Sequence, residues 1–440
     1  MQGPQDVDGF LPKVFDALTR SLTGEEQAGG ELERGTGRIL FEGTMEEAEE
    51  FYNQTELIPV LGNTPYAKYT DGMPVVLPTE ERVAKMLKGT SHKPDEMIVH
   101  QKTRKSFLFQ NVKGAPVEEK GTPVTFKPVK RTATVEQIAV NAVMAGCKPE
   151  YFPVVLAIAE AGGAGDYDGR GSVLYVVSGP VSKDLKMNHD VGVFSRGNPA
   201  NVTISRAAEL MWRNIGGNIP KVTNCGVMGT PLFSIVPENL DALPPGWRGL
   251  NEESDYRRDQ SVVVVFQLGT GGNIDVHRTT FSPGGYRAFQ KSGHGGVARR
   301  LDVKGVPGPK NWLGYILPEF WAGREGGVTL LMLPQMAQHL YECGYKSKDD
   351  VYEWIQKNSY VTMKEYRTHS WVDVNTASWT GIERSSGKPW KELPDDYLVP
   401  MVSDPYENCI IVTGGGEEYG QWIGGRGLGM QAAYGIDDWR

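Results

Sequence analysis

The stretch Leu174-Tyr175-Val176-Val177-Ser178-Gly179-Pro180 decides the fold class, because a continuous apolar run ends there in a glycine turn. Three further apolar runs lead into glycines or a helix start: Val262–Phe266 before Gly269-Thr270-Gly271-Gly272, Thr329–Leu333 before Pro334, and Ile410–Val412 before Gly414-Gly415-Gly416. Strands that are apolar at every position are typical of sheets covered on both faces, which are most often parallel. The sequence therefore predicts an α/β fold with covered, mostly parallel sheets and glycine-rich loops at the strand ends, where such folds bind ligands.

A helix with clear boundaries precedes these strands. TVEQ at residues 134–137 has the form of a capping box, and the apolar positions that follow have helical spacing. Gly146 is expected to end this helix, and a second one begins near Pro149 or Pro153. We predict two lobes and an arm: an N-terminal arm over 1–37, a first α/β lobe over 38–255, and a second over 256–440 with the C-terminal GGG loop.

The composition excludes several classes of protein. With 46 Lys and Arg against 54 Asp and Glu, the net charge is −8, which disfavours nucleic acid or an anionic membrane as partner. No apolar run approaches the roughly 18 residues of a membrane span. The four cysteines are far apart, so neither a disulfide framework nor a zinc ribbon is expected. Because the N-terminus also lacks the pattern of a signal peptide, we expect a cytoplasmic protein.

Cys147 is the first candidate for chemistry. It lies between the glycine that ends one helix and the start of the next, where the helix dipole lowers the pKa of a thiol. Lys148 acts in the same direction. The alternative is that Cys147 is a small buried apolar residue, as most free cysteines are.

A second candidate is the segment from Phe194 to Arg206, which combines cationic, amide and hydroxyl side chains at a predicted helix start. A guanidinium beside free backbone N–H groups is a site for a carboxylate or phosphate. Its predicted substrate-binding residues are Arg196, Asn198, Asn201, Thr203 and Arg206. The alternative is that Asn201 or Thr203 only caps the helix and that Arg206 is a surface residue.

Two further features add glycines and an acid–base pair. Gly414, Gly415 and Gly416 follow a strand and are predicted to bring backbone amides against a ligand, although a plain tight turn explains them equally well. His189 and Asp190 lie shortly before the segment that begins at Phe194 and suit proton transfer. His277 and His294 would complete a metal site only if the fold gathered them, and we assign no metal ligand.

The run TVEQIAVNAVMAGCKPEYFPVVLA at residues 134–157 resembles a signature of the bacterial UGSC-family (seleno)proteins. The stretches at 71–83, 177–180 and 194–217 are similar to other motifs of that family, so that the resemblance covers about residues 60–430. It implies a cytosolic α/β enzyme with Asn141, Cys147, Asn201 and Arg206 at its site. The chain departs from the family pattern at Met187-Asn188-His189-Asp190, which introduces the acid–base pair, and it has no U/C-G-S-C motif of its own.

These observations lead to one hypothesis and two alternatives. The hypothesis is a cysteine-dependent lyase or oxidoreductase that makes or breaks a carbon–heteroatom bond of a small anionic substrate. Its catalytic residues would be Cys147, His189 and Asp190. The alternatives are a metal-dependent hydrolase or hydratase using His189 and Asp190, and a non-catalytic partner subunit of a heteromeric enzyme. No cofactor is identified, and we expect an oligomer, with or without a second protein subunit.

Overall fold

The computed structural model describes most of the chain in several ranges: 16, 19–20, 38–57, 65–105, 117–162, 172–219, 222–223, 233–268, 280–281, 313, 328–364, 382–383, 386–400, 402, 404–415, 420–424 and 430–440. The chain divides into two compact units, Met1–Tyr52 and Asn53–Arg440. Apart from residues 16, 19 and 20, the predicted N-terminal arm lies outside the described residues. In the first unit, helix α1 (Met45–Tyr52) begins after Thr44, whose hydroxyl accepts the N–H of Glu47.

The second unit contains eight further helices among its described residues. They are α2 (Glu80–Leu87), α3 (Val135–Met144), α4 (Phe152–Glu160), α5 (Val181–Asp184), α6 (Pro199–Asn214), α7 (Leu250–Glu253), α8 (Pro334–Glu342) and α9 (Lys348–Asn358). The predicted capping box is present at the start of α3, where Thr134 and Gln137 exchange hydrogen bonds between side chain and backbone. Gly146 has φ +84° just after α3, as expected of a helix-ending glycine. A short 3₁₀ turn, Pro149–Tyr151, precedes α4.

The described strands form three two-stranded antiparallel sheets and two four-stranded sheets. The two-stranded sheets are β1 (Thr55–Leu57) with β2 (Pro65–Ala67), β3 (Arg104–Lys105) with β4 (Val117–Glu118), and β10 (Tyr360–Thr362) with β11 (Leu398–Pro400). Sheet 1 has the order β14-β7-β5-β6, from Met430–Gly435, Val262–Leu268, Ser172–Ser178 and Phe233–Pro237. Sheet 2 has the order β12-β9-β13-β8, from Cys409–Val412, Val328–Met332, Gly420–Gly424 and Thr280–Phe281.

Both sheets are mixed, which corrects the prediction of mostly parallel sheets. Only β5–β6 and β12–β9 pair in parallel among the described strands of the two sheets, and their other neighbours are antiparallel. Every residue from Val262 to Phe266 is fully buried. The continuous apolar runs therefore indicate burial on both faces, which says nothing about the direction of the neighbouring strand. The broader prediction of a mixed α/β protein is confirmed.

The two sheets share a core between them. Alternate residues of sheet 1, such as Val176 and Val264, pack in one cluster with Leu331 and Ile411 of sheet 2. The opposite side chains of sheet 2, such as Leu330, pack against α8 and α9 in a second cluster. Because side chains alternate along a strand, sheet 2 is buried between sheet 1 and a helical layer.

Sheet 1 crosses the lobe boundary predicted at 255/256. Its strands β5 and β6 precede that boundary, whereas β7 and β14 follow it, and β5 and β7 are hydrogen bonded along their whole length. The prediction of two separate lobes is therefore not confirmed. Glycine loops do follow strand ends: Gly179 comes after β5 with φ +122°, and Gly414 comes after β12 with φ +77°.

Candidate functional site

The start of α6 is capped by Asn198. Its side-chain oxygen accepts the backbone N–H of Asn201 at 3.1 Å, and its amide donates to the Lys186 carbonyl at 2.9 Å. Pro199 occupies the first helical position, which suits its fixed φ and missing N–H. Asn198 was predicted to bind the substrate, but its side chain is used to start the helix.

Asn201 holds the loop of residues 188–193 against α6. Its side-chain oxygen accepts the N–H of Asn188 at 3.1 Å, and its amide donates to the Asn188 carbonyl at 3.0 Å and to Val193 at 3.4 Å. The Val193 side chain enters the core between the two sheets. Asn201 is buried, and both of its polar groups are occupied. Its role is therefore to position this loop rather than to bind a substrate directly.

Arg206 forms a two-pronged ion pair with Asp71. Nε and Nη2 donate to the two carboxylate oxygens at 2.9 Å each, and Nη2 also reaches the Pro74 carbonyl at 2.8 Å. Burial alone would raise the pKa of Asp71, but the guanidinium of Arg206 outweighs it and the pKa is lowered. Arg206 thus fixes the segment 71–74 on α6, which corrects the prediction that it receives a substrate anion.

Cys147 lies beside Thr203 on α6, so two predicted site residues do meet. Burial raises the pKa of the Cys147 thiol to about 12, although the Thr203 hydroxyl acts against this rise. The direction is opposite to the one predicted from the helix dipole. The physical reason is local: Lys148 and a 3₁₀ turn intervene before α4 begins at Phe152, so the thiol gains no helix-start hydrogen bond that outweighs its desolvation.

Asn141 is also occupied by the fold. Its amide donates to the Gln137 carbonyl one turn earlier in α3, and its oxygen accepts from Asn214 of α6, both at 2.9 Å. The residue is buried and joins the two helices. Both polar atoms of Asn141 are therefore engaged in hydrogen bonds within the fold.

His189 is held where the loop meets the end of β12. The N–H of Gly414 donates to the His189 carbonyl at 2.9 Å. A side chain at position 415 would overlap the Asp190 carboxylate, so the glycine there permits a close approach of the two segments. The ring atom Nδ1 of His189 is buried and has no hydrogen-bond partner among the described residues.

Asp190 is exposed and does not hydrogen bond to that ring nitrogen. Its Oδ1 accepts the N–H of Val191 at 2.8 Å, and its own N–H donates to Asn188 at 3.0 Å. The predicted orientation of His189 by Asp190 is therefore not made through Nδ1. His189 instead interacts electrostatically with Asp241. The pKa of Asp241 is lowered mainly by Lys183 and to a smaller extent by His189.

Arg196 is an exposed cation between this loop and the start of α6. No described residue hydrogen bonds to its guanidinium, and its positive charge lies just before the N-terminal end of the long helix α6. The field of Arg196 reaches Glu209, whose pKa is nevertheless raised, by burial and by Asp71. An exposed guanidinium next to the positive end of a helix dipole is a chemically suitable receptor for a small carboxylate.

No group of three or more His, Cys, Asp or Glu side chains suited to a metal ion occurs within the described ranges. Several residues considered from the sequence lie outside those ranges: Cys225, the loop at 269–272, His277, His294 and Gly416. Cys409 is buried in β12, and Cys343 ends α8. The described side chains therefore offer the metal-dependent alternative no ligand set.

A buried ionic cluster at the end of β6 was not predicted from the sequence. Lys348, the first residue of α9, lies 3.1 Å from Glu238 and 3.2 Å from Glu253, and it donates to the Ile410 carbonyl at 2.8 Å. Burial would lower the pKa of Lys348, but the two carboxylates reverse this and raise it. The cluster joins α7, α9 and both sheets. No sequence signal marks it, because its members are distant along the chain.

A second cluster, also not predicted from the sequence, surrounds Arg104 of strand β3. Its guanidinium pairs with the buried Glu160 and donates to the Ala433 carbonyl at 3.0 Å. Nearby, Nδ1 of His100 and Oε2 of Glu118 are 3.6 Å apart, and both atoms are buried without a hydrogen bond in the described structure. Burial, assisted by Arg104, lowers the pKa of His100 to about 4, whereas burial raises that of Glu118.

No protein-family model, curated protein or solved structure matches this chain. The resemblance to the UGSC-family proteins therefore stays a prediction. None of the described helices combines the length and the apolar character needed to span a membrane.

Proposed function

We propose that the protein is an enzyme acting on a small anionic organic substrate at the loop between α5 and α6. The observation that carries this proposal is the buried, unpartnered Nδ1 of His189 on a loop that Asn201 and Gly414 hold in place. A fixed imidazole with an unused nitrogen is suited to proton transfer. The same loop carries the exposed guanidinium of Arg196, which supplies the attraction for an anion.

In this proposal Arg196 binds the substrate carboxylate and His189 moves the proton. Because Nδ1 is buried, the neutral ring takes up the proton through Nε2, which accepts it from the carbon beside the carboxylate. The electrons of that C–H bond form a carbon–carbon double bond as the neighbouring carbon–heteroatom bond breaks. The leaving group departs with its electron pair and receives the proton from the imidazolium, so that atoms and electrons balance.

Cys147 has a different role here from the one predicted. A thiol whose pKa is raised to about 12 remains protonated at neutral pH, and the neutral thiol is a poor nucleophile. We assign it to packing between the end of α3 and Thr203. The enzyme class, lyase, is retained, while the chemistry moves from Cys147 to His189. A cytoplasmic location and an oligomeric assembly belong to the same proposal.

The proposal is tested by incubating the purified protein with a mixture of small carboxylic acids and measuring their consumption by mass spectrometry. We expect the wild type to consume one of these acids. His189→Gln should consume it about 100-fold more slowly, and Arg196→Gln should show a weaker apparent affinity for it. The matched control is Arg257→Gln, an exposed arginine whose partner is Asp259 two residues away. Equal consumption by the wild type and His189→Gln would overturn the proposal.

A further inference from the structure

An oxygen of Glu118 lies between a histidine and an arginine and is hydrogen bonded to neither. Its Oε2 is 3.6 Å from Nδ1 of His100 and 4.0 Å from Nε of Arg104. Both Oε2 and Nδ1 are shielded from solvent, and neither has a hydrogen-bond partner in the part of the chain that the structure describes. Because a buried polar atom without a partner is destabilising, a state that pairs these two atoms with each other gains stability.

Nδ1 of His100 does not donate to this oxygen. A ring nitrogen that donates to a carboxylate comes within about 2.9 Å of it, as Nδ1 of His92 does with Glu96 at 2.8 Å. The wider separation at His100 indicates a neutral ring with its hydrogen on Nε2 and a lone pair on Nδ1. Two acceptors, Nδ1 and the carboxylate oxygen, therefore face each other.

The surroundings disfavour a positive charge on the ring. Burial lowers the pKa of His100 to about 4, and the guanidinium of Arg104 acts in the same direction. Arg104 is itself held in place, because it pairs with the buried Glu160 and donates to the Ala433 carbonyl at 3.0 Å. The ring is therefore the member of the pair that stays neutral as the pH falls.

The carboxyl group is the better site for a proton. Burial raises the pKa of Glu118, and this effect outweighs the charge of Arg104. Of the other groups that act on it, Glu160 raises the pKa, whereas Lys127 and Tyr434 lower it. The side chain of Glu118 is 31% exposed, so a proton can reach it from solvent. As the pH falls, the pair takes up its first proton on Glu118 rather than on the ring.

We propose that His100 and Glu118 form a buried proton-binding site, in which the protonated carboxyl group donates a hydrogen bond from Oε2 to Nδ1. The proton comes from solvent, and no other bond is made or broken covalently. Its binding removes the negative charge that attracts Glu118 to Arg104, so the carboxyl group turns from the guanidinium to the ring. The site thus acts as a pH-sensitive switch between β4 and the segment that precedes β3. It uses no residue of the proposed function and does not depend on it.

The first test is infrared spectroscopy of the whole chain as a function of pH, since a protonated carboxyl group has a carbonyl band that a carboxylate lacks. The wild type should show such a band above the pH at which exposed glutamates titrate, about 4.3, and Glu118→Gln should lose it. The matched control is Glu119→Gln, which changes the exposed neighbour and should keep the band. His100→Phe should shift the midpoint of the band to lower pH, because the protonated carboxyl group loses its acceptor.

The second test follows Nδ1 of His100 by nitrogen NMR of protein with isotope-labelled histidine. Its resonance should move as Glu118 is protonated, while Nδ1 itself stays unprotonated. Glu118→Gln, whose amide donates at every pH, should show the shifted resonance already at neutral pH.

Four results would overturn the proposal: a band that persists in Glu118→Gln, a midpoint that stays or rises in His100→Phe, protonation of the ring in the same step, or an Nδ1 resonance that Glu118→Gln leaves in place. A rising midpoint would show that the ring holds the proton. If His100→Phe does not fold, the two measurements on the wild type and Glu118→Gln decide the question.

Discussion

Protonation of His100 should destabilise the protein in mild acid. The pKa of this residue is lowered to about 4 by burial and then by Arg104, whereas an unfolded histidine titrates near pH 6.5. The folded protein therefore binds this proton less well than the unfolded chain. Stability contributed by neutral His100 is fully present above about pH 6.5 and is lost as the pH falls towards 4.

The magnitude follows from the size of the shift. A difference of about 2.5 pH units, at about 1.4 kcal/mol per unit, gives a loss of about 3 kcal/mol between pH 7 and pH 4. Glu118 acts in the opposite sense, because burial raises its pKa and protonation then stabilises the folded state. The wild-type curve contains both effects, so the contribution of His100 has to be isolated by substitution.

The assay is urea unfolding, followed by tryptophan fluorescence, of the wild type and His100→Gln at several pH values between about 7 and 4. The free energy of unfolding of the wild type should fall by about 3 kcal/mol more than that of His100→Gln over this range. His339→Gln, which changes another partly buried histidine, serves as the control. Parallel pH curves for the wild type and His100→Gln would refute the reasoning.

Three further predictions concern stability, loop order and thiol reactivity. Lys348→Met should lower the free energy of unfolding by about 3–5 kcal/mol, because it leaves two buried carboxylates without their cation. Lys346→Met, which changes an exposed lysine, is the control in urea unfolding. An equal loss of unfolding free energy in the two variants would contradict this prediction. Asn201→Ala should lower the free energy of unfolding by about 1–3 kcal/mol and speed amide hydrogen exchange over residues 188–193. Unchanged exchange in these residues would show that other contacts hold the loop. Alkylation of Cys147, measured by peptide mass spectrometry, should stay slow until the pH approaches about 12. If the alkylation rate instead rises with a midpoint below about pH 8.5, Cys147 is a thiolate site.

Local signals in the sequence predicted the elements they control. Residues close together in the sequence predicted three features: the capping box at Thr134, the glycine that ends α3, and the buried runs of β5 and β7. Strand direction could not be predicted in this way. It depends on which strands become neighbours, and β14 joins β7 from the far end of the chain.

The sequence predicted a helix start, a preceding loop and a glycine turn in this region, but not the hydrogen-bond and ion-pair partners of their residues. The helix start at Asn198, the loop with His189 and the glycine turn at Gly414 do come together. Arg206 was misassigned because its partner Asp71 lies 135 residues earlier, so no spacing in the sequence reveals the ion pair. The same limit applies to Cys147, whose pKa is set by burial and not by its neighbours along the chain.

The most direct test of the central claim compares His189→Gln and Cys147→Ser in the same carboxylic acid consumption assay. We predict that His189→Gln slows consumption by about 100-fold, while Cys147→Ser retains most of the wild-type rate. The reverse pattern, with activity lost in Cys147→Ser and kept in His189→Gln, would contradict the account and return the chemistry to the thiol.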